Sequence, residues 1–421
     1  MDIDNCKPGM TLDEEVTLKG IEHNIINSRK ISVKANVEIN ARVYSNENTD
    51  IVSNIGDIEN IQLLKTVVPI SSLVGEGTNS VNVKETIKVD VADELAEIMR
   101  VRTRISGREA KISYNKVLVK ADMHLDMMYL TEDGRINNNT TTLPIMGFVD
   151  MPNVNENNIC DVKCKLKNFI VKPTTGESSS IHAEAEIELV CFVYEEKNID
   201  IIEDLYSTAS EVRATKREVK VVSKKQHRRE RHVVKEQIQV PEIGSNKIYN
   251  IDVRPNITNM NRAGNKVVIQ GELGLEFLFG VDKGVSTKNT NIPFECSIDS
   301  ELAREQIEIT KDVEISKENF TIVSDGNIEV DINLDFNLGF SMNRKLEIIE
   351  EVELEESKQE PGYSMVIYFV KPGDTLWRVA KKLKSTIEDI RRVNALDGED
   401  GLEQGMQLYI PKYIKRNVEI A

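Results

Sequence analysis

The sequence has little cysteine, a single tryptophan and few aromatic residues. Five cysteines occur in 421 residues, and phenylalanine, tyrosine and tryptophan together make up 5% of the chain. The cysteines are odd in number and irregularly spaced, at Cys6, Cys160, Cys164, Cys191 and Cys296. Small secreted proteins that depend on disulfides show the opposite pattern. We therefore expect no disulfide and a reducing compartment.

Long apolar runs are also missing from the sequence. No window approaches the roughly 20 apolar residues that a membrane-spanning helix needs. The first residues, MDIDNCKPGMTLDEEV, contain neither a basic segment nor an apolar segment of the kind found in signal peptides. The sequence therefore predicts no signal peptide and no membrane span.

Motifs of the common catalytic classes are absent as well. The chain has no glycine-rich phosphate loop followed by lysine, no HExxH motif, no nucleophile elbow and no calcium loop. Cys160, Cys164 and His182 come nearest to a metal-binding set, but their spacing differs from that of zinc sites, and buried free thiols are the simpler interpretation. We therefore expect no catalytic residues, no metal and no cofactor.

Charge is unevenly distributed. Seventy acidic residues against 54 basic ones give a net charge of −16, which disfavours general binding to nucleic acid or to an anionic membrane. Residues 213–235 are nonetheless rich in basic side chains. A polybasic binding patch is one interpretation, but valines that alternate with the charges favour a solvated strand or linker. Residues 347–360 are acidic, and 352–365 are predicted to be a linker.

Internal repeats dominate the sequence. Residues 116–130, KVLVKADMHLDMMYL, align with residues 266–280, KVVIQGELGLEFLFG, at an offset of 150 residues. Residues 83–89 align with 234–240 at an offset of 151. We therefore expect two full repeats with one fold, in which Val117 superposes on Val267 and Ile181 on Ile328.

A further segment occurs three times, at 31–44, 181–194 and 328–341. Apolar and polar residues alternate in each copy, as in a strand with one buried face. The sequence therefore predicts a mainly β protein with tandem β-sandwich-like repeats. The predicted domains are a partial repeat at 2–71 and full repeats at 79–209 and 228–351. Residues 93–99 are predicted to form a helical turn.

The C-terminal segment 366–412 has a different pattern. Residues 367–370 predict a strand, and residues 371–373 predict a turn that leads to a helix capped by Asp374. A capping box at Ser385 and Glu388 predicts a second helix that ends near Asn394. Residues 407–410 predict a last strand. The result is a small α+β domain of βααβ order.

This segment resembles the LysM domain, a carbohydrate-binding module, through these residues: Tyr368, Val370, Gly373, Asp374, Thr375, Leu376, Ala380, Asn394, Leu396, Leu402, Gly405, Leu408, Ile410 and Pro411. The resemblance implies a groove for N-acetylglucosamine polymers or for a protein partner, lined by Gly373, Asp374, Thr375, Leu376, Trp377, Asn394, Leu396, Asp397, Leu402, Ile410 and Pro411. Trp377 either stacks on a sugar or covers the small core. The acidic side chains of Asp397, Glu399, Asp400 and Glu403 favour weak glycan affinity and a main role in protein binding.

The repeats resemble the SPOCS domain of clostridial spore-envelope proteins, through the Val-Lys-Glu segments, the strand pair that contains Gly271 and the steps Leu143-Pro144 and Ile292-Pro293. This resemblance implies a non-enzymatic adaptor of the spore coat in the mother-cell cytoplasm, at the forespore surface. Its implied partner is the coat-basement morphogenetic ATPase or another coat protein, with no nucleic acid. The alternative is a wall or cortex protein that binds peptidoglycan through LysM.

Overall fold

The computed structural model describes residues 6–8, 10–44, 49–56, 60–89, 94–174, 180–282, 284–304, 307–355, 364–396 and 402–412. Within these ranges the protein is mainly β, as the sequence predicts, with sixteen strands, two α-helices and one 3-10 turn. The alternating sequence segments form long antiparallel strands, because every second side chain can then face a core. Two six-stranded units lie between an N-terminal hairpin and a small C-terminal α+β domain.

The first six-stranded unit consists of β3 (Ile61–Lys88), β4 (Leu95–Ser113), β5 (Lys116–Thr131), β6 (Ile136–Asp150), β7 (Ile159–Pro173) and β8 (Ser180–Ser207). They form two antiparallel sheets, β4-β5-β6 and β3-β8-β7. Side chains of β5, β6 and β8 share one buried cluster, so the two sheets pack face to face as a sandwich. Residues from Leu95 onward belong to β4, and the helical turn predicted at 93–99 is wrong because this segment pairs with β5.

The second unit repeats this arrangement with β9 (Glu211–Gln239), β10 (Ile248–Ala263), β11 (Lys266–Val281), β12 (Gly284–Asp299), β13 (Ile307–Ser324) and β14 (Asn327–Glu355). Its sheets are β10-β11-β12 and β13-β14-β9. Val117 and Val267 are the second residues of the two central strands β5 and β11, and both are fully buried. Ile181 and Ile328 hold the same position in β8 and β14. The prediction that both repeats share one fold is confirmed.

The remaining strands lie at the two ends of the chain. β1 (Thr11–Asn27) and β2 (Lys30–Tyr44) form the N-terminal hairpin, and their sheet has no third strand among the described residues. The C-terminal domain contains β15 (Met365–Phe369), α1 (Leu376–Leu383), α2 (Ile387–Asn394) and β16 (Gln407–Pro411). Its βααβ order agrees with the prediction.

The four longest strands extend beyond the sandwiches as two ribbons. The first half of β3 pairs with the second half of β8, and the first half of β9 pairs with the second half of β14. Val68, Ile201, Leu346 and Ile348 form a buried cluster in which both ribbons take part. The two ribbons therefore pack against each other and hold the two sandwiches together.

The basic and acidic runs of the sequence are neighbours in the second ribbon. Residues 213–235 belong to β9, so the strand predicted there is confirmed. Arg217 Nε lies 2.6 Å from a carboxylate oxygen of Glu350, and Arg213 Nη1 lies 3.0 Å from Glu355. Because this pairing continues to Glu355, the segment predicted as a linker from residue 352 begins inside β14. Residues 356–363 of that segment lie outside the described residues.

Buried charges connect the two sandwiches directly. Arg102 of β4 donates from Nη2 to Asp126 of its own unit at 2.8 Å. Its Nη1 donates to Asp252 Oδ1 and to the Ile251 carbonyl of the second unit, both at 2.9 Å. Glu318 of β13 also pairs with Arg102. The Arg102 side chain is only 12% exposed, so one guanidinium joins three carboxylates largely away from water.

Candidate functional site

Asp374 stabilises the turn before α1 and does not cap the helix. Gly373 adopts a φ of +79°, a region that glycine enters without a steric penalty. Asp374 Oδ2 accepts the Tyr368 hydroxyl and the Lys371 N–H, both at 2.8 Å. The Lys371 N–H first, and then the Tyr368 hydroxyl, hold the pKa of Asp374 below its usual range. With its carboxylate occupied by the turn, Asp374 leaves the capping role to Thr375.

Thr375 is the residue that caps α1. Its side-chain oxygen accepts the Arg378 N–H at 3.2 Å, and the helix begins at Leu376. The predicted cap at Asp374 is therefore one residue early.

The second helix is also capped one residue later than predicted. Thr386 Oγ1 accepts the Asp389 N–H at 3.0 Å and donates to the Asp389 carboxylate at 2.7 Å. Ser385 instead lies just beyond the first helix, where its N–H bonds the Ala380 carbonyl of the last turn at 3.0 Å. The capping box is therefore Thr386 with Asp389 in place of Ser385 with Glu388. The predicted end of this helix at Asn394 is confirmed.

Asn394 joins α2 to the last strand. Its amide donates to the Tyr409 carbonyl at 2.7 Å, and its Oδ1 accepts the Tyr409 N–H at 2.7 Å. These two bonds replace those that a neighbouring strand would make, so the free edge of β16 is satisfied at this point. Asn394 therefore supports the wall of the predicted groove by fixing β16.

The structure places the predicted groove residues in three different environments. Gly373 and Thr375 are exposed, and Asp374 is half-buried. Leu376 and Ile410 are buried in the core of the small domain, against which Leu396 and Leu402 also pack. Asp397 lies outside the described residues, as do Glu399 and Asp400 of the acidic loop. Among the groove residues that the structure describes, Gly373 and Thr375 are the most accessible to a ligand.

Trp377 faces the first ribbon. Its ring meets the Tyr206 ring edge-on, with the centroids 4.9 Å apart and the planes at 70°. Its Nε1 donates to Asp204 Oδ2 at 2.7 Å. Asp204 and Tyr206 belong to β8, so this tryptophan covers apolar surface between the small domain and the ribbon.

Further contacts fix the small domain in the same place. The Tyr206 hydroxyl donates to the Ser385 carbonyl at 2.7 Å. Lys381 Nζ lies 2.6 Å from Asp204 Oδ1, and Lys384 pairs with Glu211. We call these contacts, together with those of Trp377, the docking contact. They orient the C-terminal domain through α1 and the two residues that follow it.

Sequence reasoning missed Asp204 and Tyr206. The repeat offset of 147 residues, which relates 181 to 328, places Glu353 at the position of Tyr206. A solvated acidic residue in one repeat therefore corresponds to a large aromatic residue in the other. That difference is the signal in the sequence that the first ribbon has an additional contact.

Acid should weaken the docking contact through Asp204. Burial opposes the charge on Asp204, but hydrogen bonds from Lys381 and Trp377 outweigh it and hold its pKa below the ordinary value of 3.8. A lowered pKa in the docked state adds stability that is complete above pH 3.8 and is lost as the pH falls through the docked pKa.

The Asp204→Asn variant isolates this contribution. We expect wild type to dock more firmly than the variant at neutral pH. That difference should decrease below pH 3.8 and vanish once the pH is below the docked pKa of Asp204. Trp377 fluorescence, measured for both chains across the pH range, reports the docking. A difference that is constant with pH would contradict the assignment to the Asp204 carboxylate.

The weak metal-binding set is not brought together. His182 of β8 pairs with Lys172, eight residues along β7 from Cys164. Among the described residues no group of three potential metal ligands occurs. In the same residues, neither α-helix is long and apolar enough to cross a membrane.

These features define a protein of two β-sandwich repeats with a docked C-terminal module. The family model described as SipL, SPOCS domain, matches residues 94–174 and 246–323, and the LysM domain model matches residues 368–411. No curated protein and no solved structure matches the chain. The chain thus contains two SPOCS domains of the SipL type followed by a LysM domain, and both kinds of domain are non-catalytic binding modules.

The two SPOCS matches cover β4 to β7 and nearly all of β10 to β13. The ribbon strands β3, β8, β9 and β14 lie entirely outside them. The docking contact therefore joins the LysM domain to a part of the chain that the SPOCS model does not cover.

Proposed function

We propose that the protein is a non-enzymatic adaptor in endospore-envelope assembly. The SPOCS repeats form a rigid scaffold, and the LysM domain binds a coat protein and so tethers the scaffold to the forespore surface. The SPOCS and LysM matches support a sporulation-related binding protein. The docking contact supports the scaffold role, since it presents the LysM domain in one orientation.

The main observation in favour of a protein partner is an exposed apolar surface on the sheet of the LysM domain. Met365, Ile367 and Phe369 of β15 are 47%, 55% and 59% exposed, and Tyr409 of β16 is 42% exposed. Ile367 and Tyr409 are direct neighbours across the sheet, so the four side chains form one patch on the face opposite the helices. Contiguous apolar patches with aromatic residues are typical of protein interfaces.

The state of Trp377 favours the same conclusion. Its ring contacts Tyr206, and its N–H is bonded to Asp204, so the single tryptophan of the chain is already used within the protein. Stacking on a sugar ring would require undocking of the LysM domain. Glycan recognition therefore lacks the large aromatic surface that the sequence offered for it.

We assign the partner and the location by resemblance to the SPOCS proteins of spore envelopes. The coat-basement morphogenetic ATPase or another coat protein is the expected partner, in the mother-cell cytoplasm at the forespore surface. An acidic chain of net charge −16 suits a partner with a basic contact surface, because opposite charges speed the encounter.

The second candidate function is binding of peptidoglycan or N-acetylglucosamine polymers. It is favoured by the turn at Gly373 and Thr375, which stays exposed although the domain is docked. Backbone amides of such a turn can bind the carbonyl of an N-acetyl group. This function would use the turn and leave the apolar sheet patch free.

Calorimetric titration of the full-length protein separates the two functions. The titrants are the purified coat ATPase, chitin oligomers and peptidoglycan fragments. We expect binding of the ATPase, and we expect the double variant Ile367→Ser, Phe369→Ser to weaken it by roughly tenfold or more, because central apolar contacts are each worth above 1 kcal/mol. Weak or absent glycan binding should be the same in both proteins.

Tyr114→Ser provides the matched control. Tyr114 is 80% exposed in the turn between β4 and β5, far from LysM in the chain, and its replacement also removes an exposed apolar side chain. It should leave ATPase binding unchanged. Tight peptidoglycan binding that persists in the double variant, with no response to the ATPase, would reject the adaptor and support the glycan-binding function.

A further inference from the structure

The N-terminal hairpin is a third copy of the last two strands of a SPOCS repeat. Its apolar positions in β2 precede those of β8 by 150 residues, as Ile31 precedes Ile181 and Val37 precedes Ile187. The strand pairing shows the same relation. A bulge follows Leu18, opposite Val37, and the corresponding bulges follow Leu166 in β7 and Ile315 in β13. The hairpin therefore has the local geometry of a repeat.

The full repeats cover the inner face of these strands, whereas the hairpin exposes it. β8 and β14 each lie between two strands and under a second sheet, and Ile181, Ile187 and Leu189 are fully buried. β2 has β1 on one edge and, in the described chain, no strand on the other and no facing sheet. The side chains that correspond to a repeat core are consequently in contact with solvent.

Nine large apolar side chains share this open face. They are 44% to 69% exposed: Leu12, Val16, Leu18, Ile21, Ile25, Ile31, Val33, Val37 and Ile39. An isolated two-stranded hairpin is only marginally stable in water, and monomeric proteins rarely expose a contiguous apolar patch above a few hundred Å². The face therefore needs a cover.

The size of the face suits a specific interface. Fifteen paired residues at about 3.3 Å each give a length of about 50 Å, and two strands give a width of about 10 Å. Two such faces bury about 1,000 Å² or more together, which is the lower limit for a specific interface. A cover of the same length and width is required, because a shorter element would leave part of the face in water.

We propose that a second copy of this chain supplies the cover, so that two hairpins pack face to face about a two-fold axis. Among the described residues no other open strand pair has this length and this apolar pattern. An isologous contact meets the requirement with one surface, as in most homodimers. The two hairpins then form a small sandwich with layers about 10 Å apart.

The pattern of the face fits such an axis at Val37. Antiparallel stacking about Val37 places each Ala35 against Ile39 of the second copy, so small side chains meet large ones. The face carries two polar residues, Glu14 opposite Ala41 and His23 opposite Val33. The same axis places Glu14 of one copy beside His23 of the other. Glu14 Oε1 also lies 4.0 Å from Lys165 Nζ of its own chain.

The test compares Val37→Lys with Asn36→Lys in the full-length protein. Both add one lysine to β2, but residue 36 points to the opposite face. Sedimentation velocity over a range of concentrations should show a dimer for wild type and for Asn36→Lys. Val37→Lys should raise the dissociation constant roughly tenfold or more, since it brings two charges together at the axis. Thermal unfolding of the repeats should be the same in all three proteins.

A cysteine pair gives a second measurement if Val37→Lys disturbs the hairpin itself. In a Cys6→Ser background, which removes the exposed thiol, a short bismaleimide cross-linker should join Val37→Cys into a covalent dimer and should not join Asn36→Cys. The proposal is overturned if wild type is a monomer at all concentrations, if Val37→Lys leaves the dimer intact, or if both cysteine variants cross-link equally. Each of these results is independent of the adaptor function.

Discussion

Replacement of Arg102 by methionine should weaken the contact between the two SPOCS domains. Methionine keeps most of the apolar volume but leaves Asp126, Asp252 and Glu318 close together without their shared cation. The carboxylates keep other cations, since Arg104 lies 3.4 Å from Asp126 and 3.1 Å from Glu318, and Arg254 lies 2.6 Å from Asp252. The expected cost is therefore that of lost hydrogen bonds between charged groups, about 1.5–3 kcal/mol. We expect a loss of this size in the free energy of unfolding, measured by denaturant titration.

Arg135→Met is the matched control for Arg102. Arg135 also pairs with an aspartate, Asp133, but its side chain is 53% exposed and lies in a turn of the first unit. An exposed pair of this kind contributes about 0–1 kcal/mol. Equal effects of the two substitutions would contradict the buried bridge.

A double-mutant cycle tests whether Arg102 and Glu318 interact with each other. Glu318→Gln removes one carboxylate charge from the second unit, and in combination with Arg102→Met it should cost less than the sum of the single changes. Residues in one buried network show interaction energies of about 0.5–3 kcal/mol, whereas distant residues add within about 0.5 kcal/mol. Strict additivity would show that Arg102 and Glu318 do not stabilise the same interface.

The repeat architecture could be predicted because the alternation of apolar and polar residues in each strand shows which of its faces is buried. In β14, Val330, Ile332 and Leu334 alternate with polar residues, and the same alternation 147 residues earlier predicts the same strand in β8. Offsets of about 150 residues then relate the two units without knowledge of their contacts. The position of a residue within its strand can be read from nearby sequence alone. The structure confirms this for Val117 and Val267, which hold the same position in β5 and β11.

Contacts between units could not be predicted in the same way. Arg102 meets Asp252 and Glu318, which lie 150 and 216 residues further along the chain. Neither residue is distinguished in the sequence from the many other charges on the polar faces of strands. The choice of partner depends on how the ribbons bring the two sandwiches together.

The LysM domain shows the same division. Its βααβ order follows from periodicity and turn residues within 50 positions, but both helix caps were placed one residue too early. Asp374 and Ser385 each have a cap-forming side chain, yet Asp374 is bound to Tyr368 and Ser385 to the Pro411 carbonyl. Competing tertiary hydrogen bonds left the caps to the adjacent Thr375 and Thr386. The groove residues stay a prediction.

Replacement of Tyr206 by alanine should release the LysM domain from the ribbon. The change removes the ring that meets Trp377 and the hydroxyl that bonds the Ser385 carbonyl. Loss of a large buried aromatic side chain costs about 3–5 kcal/mol, and the unpaired Ser385 carbonyl adds to that cost. Because Trp377 is the single tryptophan of the chain, its fluorescence should shift to the red and become accessible to quenchers.

Two comparisons show whether this change is undocking or unfolding. Tyr206→Phe keeps the ring and removes only the hydroxyl, so it should cost about 1–3 kcal/mol, since the buried carbonyl loses its donor. Tyr114→Ala, at an exposed turn, should leave the fluorescence unchanged. If docking orients the LysM domain for its partner, Tyr206→Ala should also weaken binding of the coat ATPase, while Trp377 emission in wild type stays constant on binding. A Trp377 ring that is fully accessible to solvent in wild type would contradict the docking contact itself, because Tyr206 and Asp204 contact that ring only when the LysM domain is docked.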